Sequence, residues 1–331
     1  MAGVDGIEAG PHAIFGPVAA DLETIETGLR RLIENDPDVV SAPMADLFAA
    51  GGKRIRPALV LLAAKCGSYS LEKLTPAAMA VELTHAATLV HDDVIDRAQV
   101  RRGRPTVAAR LGDEAAIVVG DFYFAKAYEQ AAFTESPEAV AILARAVMDI
   151  CAGEVRQQAI RHRYDTDVGE YMRRIEAKTA TLLAACCDIG ALLGGLDGPK
   201  RSAIRAYGRL LGLAFQIADD VLDYEGSEDE IGKPIGHDIE EGFATLPLMM
   251  ALEDDRTAGK LRLLLELHRE LTGTEAHQIV ELVRASDGPT RAVERARQLA
   301  SEARRELEIL GDGEAQRALA ALTTYVVSRK L

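Results

Sequence analysis

The stretch Leu213-Ala214-Phe215-Gln216-Ile217-Ala218 is apolar and ends in Asp219-Asp220-Val221-Leu222-Asp223. An earlier stretch repeats the pattern: Ala86-Ala87-Thr88-Leu89-Val90 leads through His91 into Asp92-Asp93-Val94-Ile95-Asp96. On a helix, residues i and i+4 share a face, ~5–6 Å apart at Cβ. Asp92 therefore projects with Asp96, and Asp219 with Asp223, while Asp93 and Asp220 lie ~100° round the axis. Carboxylates at the end of a buried helical face are costly unless something answers their charge. An exposed acidic helix end is the plain alternative for either motif alone. Two motifs of one spacing, each after an apolar run, point instead to facing helices that hold several divalent cations. Hard cations take carboxylate oxygens, and Mg²⁺ commonly completes its shell with substrate phosphate.

Outward from these motifs, nearly every segment reads at the helical period. Leu22, Ile25, Leu29 and Leu32 mark an opening amphipathic helix. A second helix is predicted through Ala42–Ala50, a third after Pro57, and a long one opened by Pro76 that carries the first motif. Arg101–Pro105 reads as a loop. Further helices are predicted over about 113–133, 136–163, 168–195 and 200–224, and Gly226–Gly242 as an extended surface loop. Shorter helices with many Glu/Arg pairs follow from Thr245. No segment shows sustained strand alternation and no linker divides the chain. The expectation is an all-α fold, one domain over 16–331 behind a flexible 1–15.

Composition narrows the function. The 331 residues are 48% hydrophobic, enough for a substantial core, and carry a net charge of −14. So acidic a chain is a poor general nucleic-acid binder. Met1–Phe15 lacks the basic and apolar regions of a signal peptide, and Asp188 interrupts the longest apolar run, so a cytoplasmic protein is expected. Cys66, Cys151, Cys186 and Cys187 form no Cys-x-x-Cys pair and read as reduced core thiols.

Two compact basic clusters stand out against this acidity: Gly51-Gly52-Lys53-Arg54-Ile55-Arg56-Pro57 and Arg101-Arg102-Gly103-Arg104. Arginine suits bidentate phosphate contact, and lysine acts as a point charge. Beside the aspartates they imply two anion sites, one bridged by metal and one purely basic.

Taken in order, the glycine-rich basic cluster, Glu82–His85, His91–Asp96, Arg101–Gly103, Lys178-Thr179, Phe215–Tyr224, Gly232–Asp238 and Thr245–Pro247 resemble the trans-isoprenyl diphosphate synthases, or polyprenyl synthetases. The resemblance runs from about residue 20 to the C-terminus. It implies a single large helical bundle around a deep central cavity, usually a homodimer. It also implies head-to-tail joining of an allylic diphosphate to isopentenyl diphosphate. By resemblance, Asp92, Asp93, Asp96, Asp219, Asp220 and Asp223 hold three Mg²⁺ ions around the allylic diphosphate. Arg101, Lys178 and Lys233 contact that diphosphate, and Thr179 and Gln216 face the reacting carbons. Lys53, Arg56, His85 and Arg102 bind isopentenyl diphosphate. One position departs from the pattern: many members have lysine where this chain has Phe243, removing one expected diphosphate contact.

The residues a turn before Asp92 are Ala87 and Thr88. Short-chain members of the family place aromatic side chains there as a floor. Small residues leave the tunnel open, so the expected product is medium or long, roughly C30–C50 by analogy with the family. Phe122, Tyr123, Phe124 and Tyr128 are candidates for a later floor, and Ala87→Phe is expected to shorten the product. Such a product leaves room for transient membrane contact at release. Rival readings are a short-chain synthase (farnesyl or geranylgeranyl) and a metal-dependent phosphohydrolase of the His-Asp type built on His91-Asp92. The second leaves the later aspartate motif unused.

Overall fold

The computed structural model describes residues 14–49, 51–226, 235–266 and 269–328. The helices in chain order are α1 (Ala19–Glu34), α2 (Asp38–Ala49), α3 (Ile55–Lys65), α4 (Leu71–Ile95), α5 (Val107–Leu111), α6 (Asp113–Ala132) and α7 (Pro137–Ala159). They continue as α8 (Val168–Ile175), α9 (Thr181–Leu193), α10 (Gly198–Glu225), α11 (His237–Glu240), α12 (Leu246–Ala251), α13 (Ala258–Leu265), α14 (Gly273–Arg284), α15 (Gly288–Glu306) and α16 (Glu314–Ser328). The all-α expectation holds. Several starts follow from local chemistry: Ser136, Asp167 and Asp197 each accept a backbone N–H from the first turn of α7, α8 and α10.

Three local expectations need correction. Pro76 lies inside α4, which begins at Leu71 behind Ser70. Burial of Ala77–Thr84 on all sides outweighs the backbone hydrogen bond that Pro76 cannot donate. Residues 100–105 are a two-strand antiparallel hairpin, β1 (Val100–Arg101) and β2 (Arg104–Pro105), rather than a plain loop. Its two central residues, Arg102 and Gly103, have φ of 52° and 75°, as a tight right-twisting turn demands. The expected loop over 226–242 contains α11, while 227–234 lie outside the described residues.

The core centres on α3 and α9, whose faces are buried almost all round. α9 packs against α3, α7 and α10, and α4 packs against α6 and α3. α3 and α9 approach so closely at Gly190 that a Cβ there would lie 2.2 Å from the Val60 carbonyl oxygen. Glycine is required by that approach. α15 closes the far side of α10. Ile14 and Phe15 are already part of the core, just before the expected domain start at 16.

Cys186 and Cys187 are buried core thiols, with burial pushing Cys186 up to about 12 and Cys187 well above its ordinary value. Cys151 is exposed, contrary to the core expectation, because it lies on the outer face of α7. Among the described residues no helix is long and apolar enough to cross a membrane.

Candidate active site

The glycine-rich cluster ends α2 and starts α3. Gly51 (φ 80°) and Arg54 (φ 48°) both adopt the left-handed conformation, which doubles the chain back so that Lys53 and Arg56 stand at one rim. Arg54 fixes this turn. Its Nε donates to Glu26 at 3.0 Å, Nη1 to Glu82 at 3.0 Å and Nη2 to the Phe48 carbonyl at 3.2 Å. The hairpin brings in Arg102, which donates to the Gly51 carbonyl.

These residues line a cavity of about 650 Å³, together with His85. Asp92, Asp96, Arg101, Lys178 and Asp219 line the same cavity. Thr179 and Gln216 also line it, and Ala86, Thr88, Leu89, Ile150, Leu182 and Phe215 supply much of its less polar lining. The sequence motifs, spread over more than 160 residues, thus surround one space. Two features bear on its charge. The Nε of Arg56 is buried without a hydrogen-bond partner. Burial, reinforced by Arg56, Arg102, Arg101 and Arg54, holds His85 well below its ordinary pKa, as a neutral imidazole.

The six aspartates divide. Asp92, Asp96 and Asp219 line the large cavity, and Asp220 lines a neighbouring one of about 190 Å³ that also reaches Asp96 and Lys178. Asp93 is buried and accepts from Arg101 Nε at 2.7 Å. Asp223 is buried and accepts the backbone N–H groups of His237 and Asp238 at 3.2 and 3.0 Å. Asp220 accepts from Tyr171 at 2.7 Å and Gln216 at 2.8 Å, and its pKa is raised by burial and then by Asp238. Burial also raises Asp92, with Lys178 opposing and Glu154 and Asp96 adding. For Lys178, burial acts downward, but Asp92, Glu154, Asp96 and Asp238 outweigh it and hold the ammonium charged.

Lys178 and Thr179 sit in a feature that periodicity did not reveal. Between α8 and α9 the backbone widens into a single π turn, Glu176–Ala180. Such turns concentrate at functional sites because they re-aim side chains out of helical register. Thr179 Oγ1 donates to Gln216 Oε1 at 2.6 Å, so a hydrogen-bonded relay links the turn through Gln216 to Asp220.

Other expected residues fall elsewhere. Lys233 lies outside the described residues. Ala87 is fully buried behind the cavity wall, where Thr88 faces it. None of Phe122, Tyr123, Phe124 and Tyr128 lines the cavity; Tyr123 is core, with its hydroxyl 3.2 Å from Asp36. His91 packs against α6, its Nε2 3.0 Å from the Ile117 carbonyl, and does not line the cavity beside Asp92. That separates the pair the phosphohydrolase reading needs. Sequence reasoning missed Arg54, Glu82, Glu154 and Tyr171. Arg54 carried a signal in its place in the basic cluster, and Glu82 in its place at the head of the Glu82–His85 motif.

The donor set fits magnesium. Among the described residues no three His, Cys, Asp or Glu side chains converge into a ready-made metal cage. Carboxylates on separate helices, facing a cavity that also carries cations, suit an ion that draws its remaining ligands from phosphate and water.

The polyprenyl synthetase family model matches residues 37–283. The chain is 37% identical over 317 residues to heptaprenyl diphosphate synthase component 2 of Geobacillus stearothermophilus, covering 96% of this chain and 98% of that one. It is 36% identical over 328 residues to nonaprenyl diphosphate synthase of Mycobacterium tuberculosis, covering 98% and 97%. It superposes with a TM-score of 0.91 and 35% identity on a polyprenyl synthase from Caulobacter crescentus complexed with calcium and isoprenyl diphosphate, covering 99% and 100%.

Proposed function

The chain belongs to the polyprenyl synthetase family, and from that premise we propose that it joins an allylic diphosphate head to tail with isopentenyl diphosphate. The product is a medium- or long-chain trans-polyprenyl diphosphate. The observation that carries this reading is one cavity lined both by Asp92, Asp96 and Asp219 and by Lys53, Arg56, Arg101, Arg102 and Lys178.

In this reading Asp92, Asp96 and Asp219, with Asp220 beside them, hold Mg²⁺, three ions when the allylic substrate is bound. Asp93 and Asp223 brace the motifs by fixing Arg101 and the turn at His237-Asp238. The metal supplies charge neutralisation for the diphosphate. Lys178 and Arg101 add protein charge on the same side and favour departure of the diphosphate from the allylic carbon. Arg56, Lys53, Arg102 and neutral His85 hold the second diphosphate, the unpartnered Arg56 Nε gaining an acceptor. The alkene of that substrate then attacks the allylic cation, and a proton passes to the released diphosphate. No side-chain nucleophile is required. The apolar wall keeps water from the cation. A homodimer in the cytoplasm completes the reading, although the Geobacillus relative is named as component 2 of a heptaprenyl diphosphate synthase.

Incubation with farnesyl or geranylgeranyl diphosphate, labelled isopentenyl diphosphate and Mg²⁺ tests the reading. Extended products of roughly C30–C50 are expected by analogy with the family; products that stop after one addition would favour the short-chain alternative. Of the two chain-length candidates, Thr88 lines the cavity and Ala87 does not. Thr88→Phe places a ring in the cavity and is expected to shorten the product distribution by chromatography. Ala87→Phe instead overpacks a filled interior, at a cost of about 1–3 kcal/mol, with the smaller effect on length. Equal product lengths for Thr88→Phe and the parent protein would place the stop elsewhere.

A further inference from the structure

Phe243 occupies the position where the family pattern leads one to expect a lysine, and the structure shows what surrounds it. Its ring borders the 190 Å³ cavity, with Asp96, Lys178 and Asp220. The guanidinium carbon of Arg174 lies 5.5 Å from the ring centroid and 5.4 Å from that of Tyr171, and Arg174 Nη2 donates to the Ala244 carbonyl at 2.7 Å. Arg174 is 9% exposed and lines this cavity itself. An arginine held between two rings and a carbonyl has its orientation set before any ligand arrives, which reduces the ordering cost of binding.

We propose that Arg174, with Phe243 as its platform, is a binding residue for the allylic diphosphate and supplies the contact that a lysine at 243 would otherwise make. The proposal rests on the prenyltransferase reading above. Arg174 and Lys178 stand four residues apart across the start of the π turn, and both face the cavity that reaches Asp96 and Asp220. Two fixed cations beside metal-binding carboxylates make a cradle for one more phosphate oxygen set than Lys178 serves alone. Guanidinium geometry favours paired phosphate oxygens over a single point contact. Lysine from 243 would approach from the α11–α12 connection. Arginine from 174 reaches the same space from α8, so the charge is kept although its origin changes. The Phe243 ring packs against that cation, and Arg161 lies on the same ring at 5.9 Å.

A bland role is available to Arg174 as well: it stands close enough to lower the pKa of Asp220 and could serve only as its counter-charge. The two roles separate by experiment. The probe is a thiolodiphosphate analogue of farnesyl diphosphate, whose allylic C–S bond resists cleavage, titrated by calorimetry with Mg²⁺ into the full-length protein. Arg174→Gln should weaken its binding about 10- to 100-fold, the loss of a charge-assisted contact, and raise the KM of the allylic substrate while leaving that of isopentenyl diphosphate within about twofold. Adding Phe243→Lys to Arg174→Gln should recover most of the affinity, which a counter-charge role for Arg174 does not predict. Phe243→Leu, which keeps the arginine and an apolar side chain, should weaken the analogue several-fold and serves if Arg174→Gln loses its helical circular dichroism. An unchanged affinity in Arg174→Gln, or equal weakening of both substrates without recovery in the double variant, would overturn the assignment. Failure of the parent protein to bind the analogue or extend any primer would overturn the proposed function itself.

Discussion

Asp219→Ala should lower turnover by roughly 10³-fold or more, equivalent to about 4 kcal/mol of transition-state stabilisation, while leaving the helical content unchanged. Asp219, near the C-terminal end of α10, lines the large cavity together with Asp92 on α4 and Asp96 just past the end of α4. Removing it takes one wall from the proposed metal site and leaves the isopentenyl diphosphate face intact. Asp92→Ala should behave alike. Steady-state assays across a Mg²⁺ series check this: the variant's residual rate should not be restored by excess metal. Calorimetry should show isopentenyl diphosphate binding within about twofold of the parent. Full activity in either variant would remove the metal-site assignment. Asp93→Asn is a useful contrast, since its partner is Arg101 and its effect should pass through that arginine.

The second large effect concerns a residue that makes no proposed substrate contact. Arg54 and Glu82 are both largely buried, with side chains 13% and 7% exposed and 3.0 Å apart. Arg54→Ala leaves the Glu82 carboxylate in the interior with its main partner gone. Breaking such a pair costs about 3–5 kcal/mol. Glu26, the other partner, is 45% exposed and adds little. Urea unfolding should report the loss, and the KM for isopentenyl diphosphate should rise about tenfold because the turn no longer aligns Lys53 and Arg56. Pairing Arg54→Met with Glu82→Leu should restore most of the stability but not the KM. A stability loss below about 1 kcal/mol would show that solvent reaches the pair more freely than its burial implies.

Much of the site was legible because its chemistry is written in contiguous motifs. Paired aspartates at helical spacing announce themselves, and Gly51-Gly52 beside three basic residues marks a turn that presents charge. Helix class followed for the same local reason. What stayed hidden depends on contacts between distant segments. Nothing in Glu176–Ala180 reveals a π turn, which arises as α8 and α9 pack against α7 and α10. Tyr171 reads as a core aromatic until its hydroxyl meets Asp220, 49 residues away. Periodicity named both Ala87 and Thr88; which of the two faces the cavity depends on the rotation of α4 about its axis, and it is Thr88, four residues before Asp92. Pro76 misled because proline is a strong start signal, yet tertiary burial carried α4 through it.

The most direct measurement follows the purified chain alone, with Mg²⁺, an allylic primer and labelled isopentenyl diphosphate, counting diphosphate released against isopentenyl units incorporated. The account predicts one diphosphate per unit, products that lengthen stepwise by one isoprene unit, and complete arrest by a chelator. Release of phosphate or diphosphate without carbon–carbon bond formation, or incorporation indifferent to the chelator, would contradict it.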